Sequence, residues 1–202
     1  MTRIAPLPPD QVPTEVRPVL EFAEQTMGFT PNDVLTMAHW PELLQAMLPM
    51  VGVIFSPGAA TMELKRLVAT IASAAAGCQY CVAHNALGLQ QEGVAADKQA
   101  AIWQFDTHAA FSEAERAALN YARGAAQTPS AVTDVDFDRL KAHFNDQQIL
   151  ELTAVIALFG FLNRWNASLG TTLETLPLEF AEDRLSGTGW SPGVHRPGAG
   201  EP

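Results

Sequence analysis

Basic residues are scarce in this chain. Lys and Arg together number 12 among 202 residues, against 22 Asp and Glu, so the formal net charge is −10. Apart from the pair Lys65-Arg66, no two basic residues are adjacent. Proteins that bind nucleic acid displace counterions with clustered basic side chains, and an acidic surface is repelled by anionic lipid. The composition therefore argues against nucleic acid and against membranes as partners.

Long apolar runs are also missing. Polar residues interrupt every apolar stretch well before the roughly 20 residues that a membrane helix needs. The first residues, Met1 to Pro6, lack an apolar segment of signal-peptide length. We therefore expect a cytoplasmic protein. Hydrophobic residues still make up 48% of the chain, which is enough to build the core of one domain.

Segments with the strict alternation of a surface strand are absent too, whereas helical spacing of apolar residues is common. Residues 61–77 show it most clearly, and residues 147–173 form the longest such run. Ser112 followed by Glu115 is a capping box, a pattern typical of a helix start. The sequence therefore predicts an all-α protein, a single-domain helical bundle with negligible β structure.

The two ends of the chain have a different composition. Residues 1–14 contain four prolines, each of which lacks a backbone donor, so an extended N-terminal arm is expected. Residues 15–176 carry the helical patterns and are predicted to form the domain. From residue 177 the chain turns to Pro, Gly and Ser, and residues 177–202 are predicted to be an extended or disordered C-terminal tail.

Cysteine is rare, and the two that occur stand three residues apart, as Cys78 and Cys81. A disulfide across so short a loop would constrain the unfolded chain little, so this spacing favours redox chemistry or metal binding. The pattern falls at a predicted helix start, where free backbone N–H groups and the helix dipole lower thiol pKa values. A thiolate there can attack an oxidant, and the second thiol can condense with the resulting sulfenic acid.

Two further residues are candidates for proton transfer. His84 lies one helical turn after Cys81 on the same face, where an imidazole can accept or deliver a proton. Glu63, on the preceding predicted helix, is a candidate relay. The sequence leaves two alternatives open: the cysteines are small core residues, or they form half of a zinc site with His84 as third ligand. The fourth zinc ligand would come from one of three histidines, His39, His108 and His143.

The remaining histidines carry less information. His39 precedes Trp40 and Pro41 and is expected in a turn or at a helix cap. His108, His143 and His195 are expected in loops or on the surface.

Several segments together resemble one known family. The central one is Gly77-Cys78-Gln79-Tyr80-Cys81-Val82-Ala83-His84-Asn85, and it is accompanied in order by residues 28–32, 39–44, 111–119 and 161–166. In this combination, over roughly residues 15–175, the chain resembles the alkylhydroperoxidase D / carboxymuconolactone decarboxylase superfamily, and within it the longer peroxidase-related branch. The resemblance implies an all-helical fold and a homo-oligomer, whether trimer, hexamer or dimer.

The resemblance also implies roles for the site. In the family the second cysteine attacks the peroxide and the first resolves it, which corresponds to Cys81 and Cys78. At the position of the family's relay histidine this chain has Asn85, and at the position of its relay glutamate it has Arg66. The thiol pair is therefore carried over, whereas the relay is not, and His84 and Glu63 remain the candidates for it.

The function expected on these grounds is a thiol-dependent peroxidase of antioxidant type, acting on hydrogen peroxide or an alkyl hydroperoxide. A dithiol or lipoyl-type protein would reduce the resulting disulfide, and the chemistry requires neither a cofactor nor a metal. One alternative is a decarboxylase-type lyase acting on a lactone acid, which needs no thiols and would use a cationic pocket. Another is a non-catalytic, redox-sensing helical oligomer.

Overall fold

Ten α-helices, joined by short loops and 3-10 turns, make up the described part of the chain, which is residues 2–198 of a computed structural model. Met1 and residues 199–202, the ends of the two predicted arms, lie outside the described residues. No β-strand occurs within residues 2–198, and the all-α prediction is confirmed. The helices are α1 (Arg17–Met27), α2 (Asn32–Met37), α3 (Pro41–Ile54), α4 (Met62–Ala75), α5 (Gln79–Gln91), α6 (Ala96–Ala100), α7 (Glu113–Ala125), α8 (Asp134–Lys141), α9 (Asp146–Leu169) and α10 (Thr175–Leu185).

Helix α4 lies at the centre of the main core and packs against α5, α7 and α9. On its apolar face, Leu67, Val68 and Ala72 are completely buried. None of the helices in residues 2–198 combines the length and apolar character that a membrane span would need.

The turn between α4 and α5 sets the position of the cysteines. Gly77 ends α4 with a φ of +74°, a left-handed conformation that glycine adopts without a steric penalty. The backbone N–H of Gly77 then donates to Ala74 O and that of Cys78 to Ser73 O, each at 3.0 Å, the pattern of a Schellman motif. The chain therefore reverses at once into α5, and the cysteine motif stands at the top of an antiparallel helix pair.

A smaller apolar cluster joins the N-terminal segment to α2, α3 and α9. Val12 and Val16, which lie in and beside the 3-10 turns Pro9–Gln11 and Thr14–Val16, are buried in it together with Leu35, Leu44 and Leu158. This cluster fixes the position of α2, which carries the buried side chain of Asp33 near the cysteines.

The C-terminal segment differs from the prediction. Instead of an extended or disordered tail from residue 177, helix α10 occupies Thr175–Leu185 and packs against α5. Two 3-10 turns follow, Ser186–Thr188 and Gly193–His195. The Pro and Gly content suggested disorder, but Ala181, Leu185 and Trp190 are buried in the main core. That burial gives the segment the apolar contacts that an ordered structure requires.

Replacing Leu185 with alanine tests this placement. Leu185 is 4% exposed, so the truncation should lower the free energy of unfolding by about 2–4 kcal/mol through lost burial and a new cavity. Leu176, on the same helix but 43% exposed, provides the matched control, and Leu176→Ala should change stability by less than about 1 kcal/mol. Urea denaturation measures both values, and equal small effects would mean that α10 does not pack on the core.

Candidate active site

The two cysteines form the first turn of α5. Cys78 is the N-cap residue, and its Sγ accepts the backbone N–H of Cys81 at 3.5 Å. Both are free thiols and both are buried, Cys78 completely and Cys81 to within 3%. The sulfurs therefore lie at the positive end of the α5 dipole, where negative charge is stabilised.

The pKa values of the two thiols are displaced in opposite directions. The hydrogen bond from the Cys81 thiol has the largest effect on the pKa of Cys78. Together with His195 and the Cys81 backbone N–H, it outweighs the effect of burial and lowers this pKa to about 5. Burial, together with the hydrogen bond and negative charge of Cys78, raises the pKa of Cys81 well above its ordinary value. Both shifts favour negative charge on Cys78 over negative charge on Cys81.

Glu174, the N-cap residue of α10, connects three groups above the cysteines. Its Oε1 accepts the Tyr80 hydroxyl at 2.7 Å and also the backbone N–H of Asn32. Its Oε2 lies 2.7 Å from Nε2 of His84, whose ring stacks on Tyr80 with a centroid separation of 4.2 Å. A single buried carboxylate therefore fixes the orientation of two side chains of the cysteine helix.

The electrostatics of Glu174 and His84 are those of an ion pair. Burial alone would raise the pKa of Glu174, but the charge and hydrogen bond of His84 outweigh it, and the pKa is lowered. Burial alone would lower the pKa of His84, but the charge and hydrogen bond of Glu174 outweigh it, and the pKa is raised. His84 is thereby held protonated to a higher pH than a free histidine.

A second polar group lies beside Cys81. Asn166 of α9 donates through Nδ2 to Cys81 Sγ at 3.5 Å and to Asp33 Oδ2 at 3.1 Å. Burial raises the pKa of Asp33, against the opposing charge of His84, so this carboxyl is a potential proton donor near the thiol.

Several buried amide atoms near Cys81 have unused hydrogen-bonding capacity. Within the described residues, both side-chain polar atoms of Asn163 and the Oδ1 atoms of Asn85 and Asn166 have no hydrogen-bond partner. Asn163 and Asn166 stand one turn apart on one face of α9, and Asn85 stands one turn after Cys81 on α5. Buried polar atoms without partners are uncommon in native proteins, and each calls for an explanation such as a catalytic role or a bound water or ion.

The structure brings only some of the predicted site residues together. Cys78, Cys81 and His84 lie together. Glu63 does not join them, because it stands at the opposite end of α4, about 20 Å along the helix. There its carboxylate is 42% exposed and binds Lys98 Nζ at 2.6 Å.

The residues that correspond to the family's relay do not contact the sulfurs either. Arg66 packs over the ring of Phe55 at 4.6 Å and lies against Gly88, near the far end of α5. Asn85 donates from Nδ2 to the backbone O of Cys81 at 2.8 Å. The structure thus assembles its titratable groups around the thiols from other segments.

The sequence predictions missed Asp33, Asn166, Glu174 and His195. His195 was expected at the surface, but it is only 2% exposed and its Nδ1 lies 2.7 Å from Thr171 O. Asn166 belongs to a segment that signalled the family, so its importance could have been inferred. Glu174 and His195 had no such signal, because they come from the segment at or beyond the predicted domain end.

The zinc alternative finds no support in residues 2–198, where no group of three or more His, Cys, Asp and Glu side chains is placed to hold a metal. The core alternative does not describe the site well either. Although the thiols are buried, their neighbours include the charged pair of His84 and Glu174 and the carboxyl of Asp33.

Comparison with known proteins agrees with this fold. Residues 41–124 match the carboxymuconolactone decarboxylase family. The uncharacterized protein YnjA of Escherichia coli K12 is 30% identical over 173 residues, which cover 81% of this chain and 91% of that protein. The chain belongs to the alkylhydroperoxidase D / carboxymuconolactone decarboxylase superfamily.

Two solved structures are similar over nearly the whole chain. The debrominase Bmp8 in its apo form is 34% identical, with a TM-score of 0.84 over 91% of this chain and 98% of its own. A cysteine-to-alanine variant of Bmp8 has also been solved in complex with 2,3,4-tribromopyrrole. A peroxidase-related protein with an alkylhydroperoxidase AhpD core, from Ralstonia eutropha JMP134, is 25% identical, with a TM-score of 0.75 over 88% of this chain and 94% of its own.

Proposed function

We propose that this protein is a thiol-dependent peroxidase that reduces hydrogen peroxide or an alkyl hydroperoxide with the two electrons of Cys78 and Cys81. The observation that carries the proposal is the position of two thiols in the first turn of one helix, where the Cys81 backbone N–H donates to Cys78 Sγ at 3.5 Å. The pKa values of the two thiols are displaced in opposite directions. Such a pair supplies both the nucleophile and the resolving group. The similarity to a peroxidase-related protein of the same superfamily supports it.

In the first step the Cys78 thiolate attacks the terminal oxygen of the hydroperoxide. The O–O bond breaks, Cys78 becomes a sulfenic acid, and the leaving alkoxide takes from solvent the proton that Cys78 had released and departs as the alcohol. In the second step Cys81 attacks the sulfenic acid sulfur, a disulfide forms, and the hydroxyl leaves as water with the Cys81 proton. Asp33, which Asn166 connects to Cys81 Sγ, is placed to relay that proton.

The assignment of Cys78 as the attacking thiol reverses the order that the family resemblance implies. Only a thiolate is an effective nucleophile, and the directions of the two pKa shifts favour the thiolate on Cys78. Glu63 has no part in this scheme, since its carboxylate is engaged with Lys98 at the other end of α4.

Regeneration requires a dithiol that reaches a buried disulfide. Because both cysteines are almost completely buried, a small dithiol or a slim lipoyl-type arm fits the site better than the flat face of a folded protein. We further propose a homo-oligomer. The packed helices α3 and α9 leave large apolar side chains exposed, namely Met50, Val53, Leu150 and Phe161, and an unpartnered apolar surface of this kind favours association.

Reductive debromination is a second candidate, and the similarity to Bmp8 over most of both chains favours it. The two thiols would reduce one C–Br bond to a C–H bond, with release of HBr and formation of the Cys78–Cys81 disulfide. This reaction consumes two electrons, as peroxide reduction does. The unpaired amide oxygens of Asn163 and Asn166 would accept the N–H of a pyrrole ring. A lactone-acid lyase is less well supported, because it would use a cationic group to bind the substrate carboxylate, and His84 is already paired with Glu174.

A single-turnover experiment separates these activities. Protein reduced with dithiothreitol and freed of it is mixed with hydrogen peroxide, an alkyl hydroperoxide or a brominated pyrrole, and free thiols and bromide are measured over time. We expect two thiols per chain to be lost much faster with a hydroperoxide than in free cysteine at the same pH. Bromide release with equally fast thiol loss would establish the second candidate instead. If none of the compounds oxidises the thiols faster than it oxidises free cysteine, both candidate activities are excluded.

A further inference from the structure

Asn166, in the last turn of α9, is fixed in place from its backbone to its side-chain amide. Its backbone O accepts the N–H groups of Gly170 and Thr171, and its side chain is completely buried. Its Nδ2 donates to Cys81 Sγ at 3.5 Å and to Asp33 Oδ2 at 3.1 Å. A neutral hydrogen-bond donor on a rigid helix is therefore directed at the sulfur of Cys81.

The contact with Asp33 determines which edge of the amide faces the sulfur. The NH₂ group of an asparagine has two hydrogens to donate, whereas its oxygen can only accept. Asp33 Oδ2 accepts one of these hydrogens, which leaves the second for Cys81 Sγ. Asp33 thus holds the amide with its donor edge toward the thiol.

The second step of the proposed reaction requires negative charge on the Cys81 sulfur. Burial, Cys78 and Asp33 all raise the pKa of Cys81, and the hydrogen bond from Asn166 opposes them. Once Cys78 has become a neutral sulfenic acid, its negative charge no longer disfavours a thiolate on Cys81. Burial and Asp33 remain, and the Asn166 N–H is then placed to stabilise the charge that the second step develops.

We propose that Asn166 is a catalytic residue of the disulfide-forming step, whose amide N–H stabilises the Cys81 thiolate as it attacks the sulfenic acid of Cys78. Asp33 is then a positioning residue that acts through this amide. The inference rests on the proposed function, in which Cys78 is oxidised first and Cys81 resolves it.

The step is balanced without a further reactant. The Cys81 thiol gives up its proton, the thiolate attacks the Cys78 sulfur, and the S–S bond forms as the S–O bond breaks. The departing hydroxide takes up the released proton and leaves as water. Cys81 is oxidised and the Cys78 sulfur is reduced from the sulfenic to the disulfide level. If the step is slow, a second hydroperoxide can oxidise the waiting sulfenic acid to a sulfinic acid.

Other titratable groups near Cys81 come from α5, from α2, from the start of α10 and from the C-terminal turn Gly193–His195. They are Cys78, Tyr80, His84, Asp33, Glu174 and His195. His84 and Tyr80 are both engaged with the carboxylate of Glu174. All six groups are still present when Asn166 alone is replaced, so a difference between the pH profiles of variant and wild type reports the amide.

The test compares Asn166→Leu, which has a branched side chain without an N–H, with the wild type. Reduced protein is mixed with one equivalent of hydroperoxide, and sulfenic acid and disulfide are measured by mass spectrometry after quenching at successive times. We expect sulfenic acid to form at the wild-type rate and its conversion to the disulfide at neutral pH to slow at least about tenfold. The pH at which this second rate is half-maximal should rise by at least about one unit. Excess hydroperoxide should produce sulfinic acid in the variant before it does in the wild type.

Thr153→Val provides the matched control. It removes a hydroxyl that hydrogen-bonds Ile149 O and the Tyr121 hydroxyl on the same helix, about 20 Å from Asn166 along α9. This control should form the disulfide at the wild-type rate. If Asn166→Leu does not fold, Asn166→Val, which is smaller and also lacks a donor, should show the same selective slowing.

A merely structural role of Asn166 predicts a different result. In that case both steps would slow together, or the second rate would keep its wild-type pH profile, and the proposal would be overturned. Selective slowing of the first step would mean that Cys81 is the attacking thiol, and it would overturn the proposal as well.

A small neutral disulfide such as dithiodipyridine separates this inference from the proposed function. The first thiol forms a mixed disulfide and releases one thiopyridone, and attack by the second thiol releases another. If the wild type does not reduce hydroperoxides but Asn166→Leu delays the second release, the role of Asn166 is established and the peroxidase proposal is wrong. If hydroperoxides are reduced and the variant forms its disulfide at the wild-type rate, Asn166 is not a catalytic residue.

Discussion

A Cys78→Ser variant is expected to reduce hydroperoxides at least about 1,000-fold more slowly than the wild type, because a serine hydroxyl is not ionised at neutral pH and the thiolate is the nucleophile. Cys81→Ser should behave differently. Its hydroxyl can still donate a hydrogen bond to the Cys78 sulfur, so the thiolate and its attack are retained. Without a resolving thiol, however, the reaction should stop after one turnover.

The two variants are compared by mixing each with one equivalent of hydroperoxide and labelling sulfenic acid with dimedone. We expect close to one label per chain in Cys81→Ser and almost none in Cys78→Ser or in the wild type. The reverse pattern, with the label in Cys78→Ser, would show that Cys81 attacks, in the order that the family resemblance implies. Absence of label in both variants would mean that neither thiol is a peroxide nucleophile.

Replacing Glu174 with alanine is expected to lower the free energy of unfolding by about 3–5 kcal/mol, since removing one member of a buried ion pair leaves the other unpaired. His84, the Tyr80 hydroxyl and the Asn32 backbone N–H would all lose their partner. Glu174→Gln keeps the shape and several hydrogen bonds, so its loss should be smaller, about 1–2 kcal/mol. The matched control is Glu63→Ala, a half-exposed carboxylate whose removal should change stability by less than about 1 kcal/mol.

The Glu174–His84 pair also predicts a pH dependence. The lowered pKa of Glu174 gives stability that is present above the ordinary glutamate value of 4.5 and is lost as the pH falls through the folded value. The raised pKa of His84 gives stability that is present below its ordinary value of 6.5 and is lost as the pH rises through the folded value. The difference in unfolding free energy between wild type and Glu174→Gln should therefore be largest between pH 4.5 and 6.5. A difference that is constant from about pH 4 to about pH 9 would show that the two groups are not paired.

The parts of the fold with a local cause could be predicted from the sequence. The capping box at Ser112 and Glu115 forms at the start of α7, because both of its hydrogen bonds need only neighbouring residues. The helix predicted over residues 61–77 is α4, Met62–Ala75, since its apolar residues recur at helical spacing. The position of Cys78 and Cys81 at a helix start also follows from Gly77, which ends one helix and lets the next begin.

The parts of the site that depend on distant contacts could not be predicted. Glu174 reaches His84 and Tyr80 across some 90 residues of chain, and no local pattern encodes that approach. His195 is buried because α10 packs on α5 and carries the following turns back over it, whereas its own neighbours, Pro and Gly, suggest an exposed tail. The family pattern did not identify these residues either, because its relay positions correspond to Arg66 and Asn85 in this chain.

The central claim is that Cys78 and Cys81 act as one two-electron redox pair. The most direct measurement is the mass of the tryptic peptide 67–98, which contains both cysteines of the chain, after one equivalent of hydroperoxide and alkylation of any remaining thiol. We predict that the peptide loses the mass of two hydrogens, resists alkylation, and becomes alkylated at both cysteines once a dithiol has been added. A peptide that takes up two alkyl groups without reduction, or that carries added oxygen on each cysteine separately, would contradict the account.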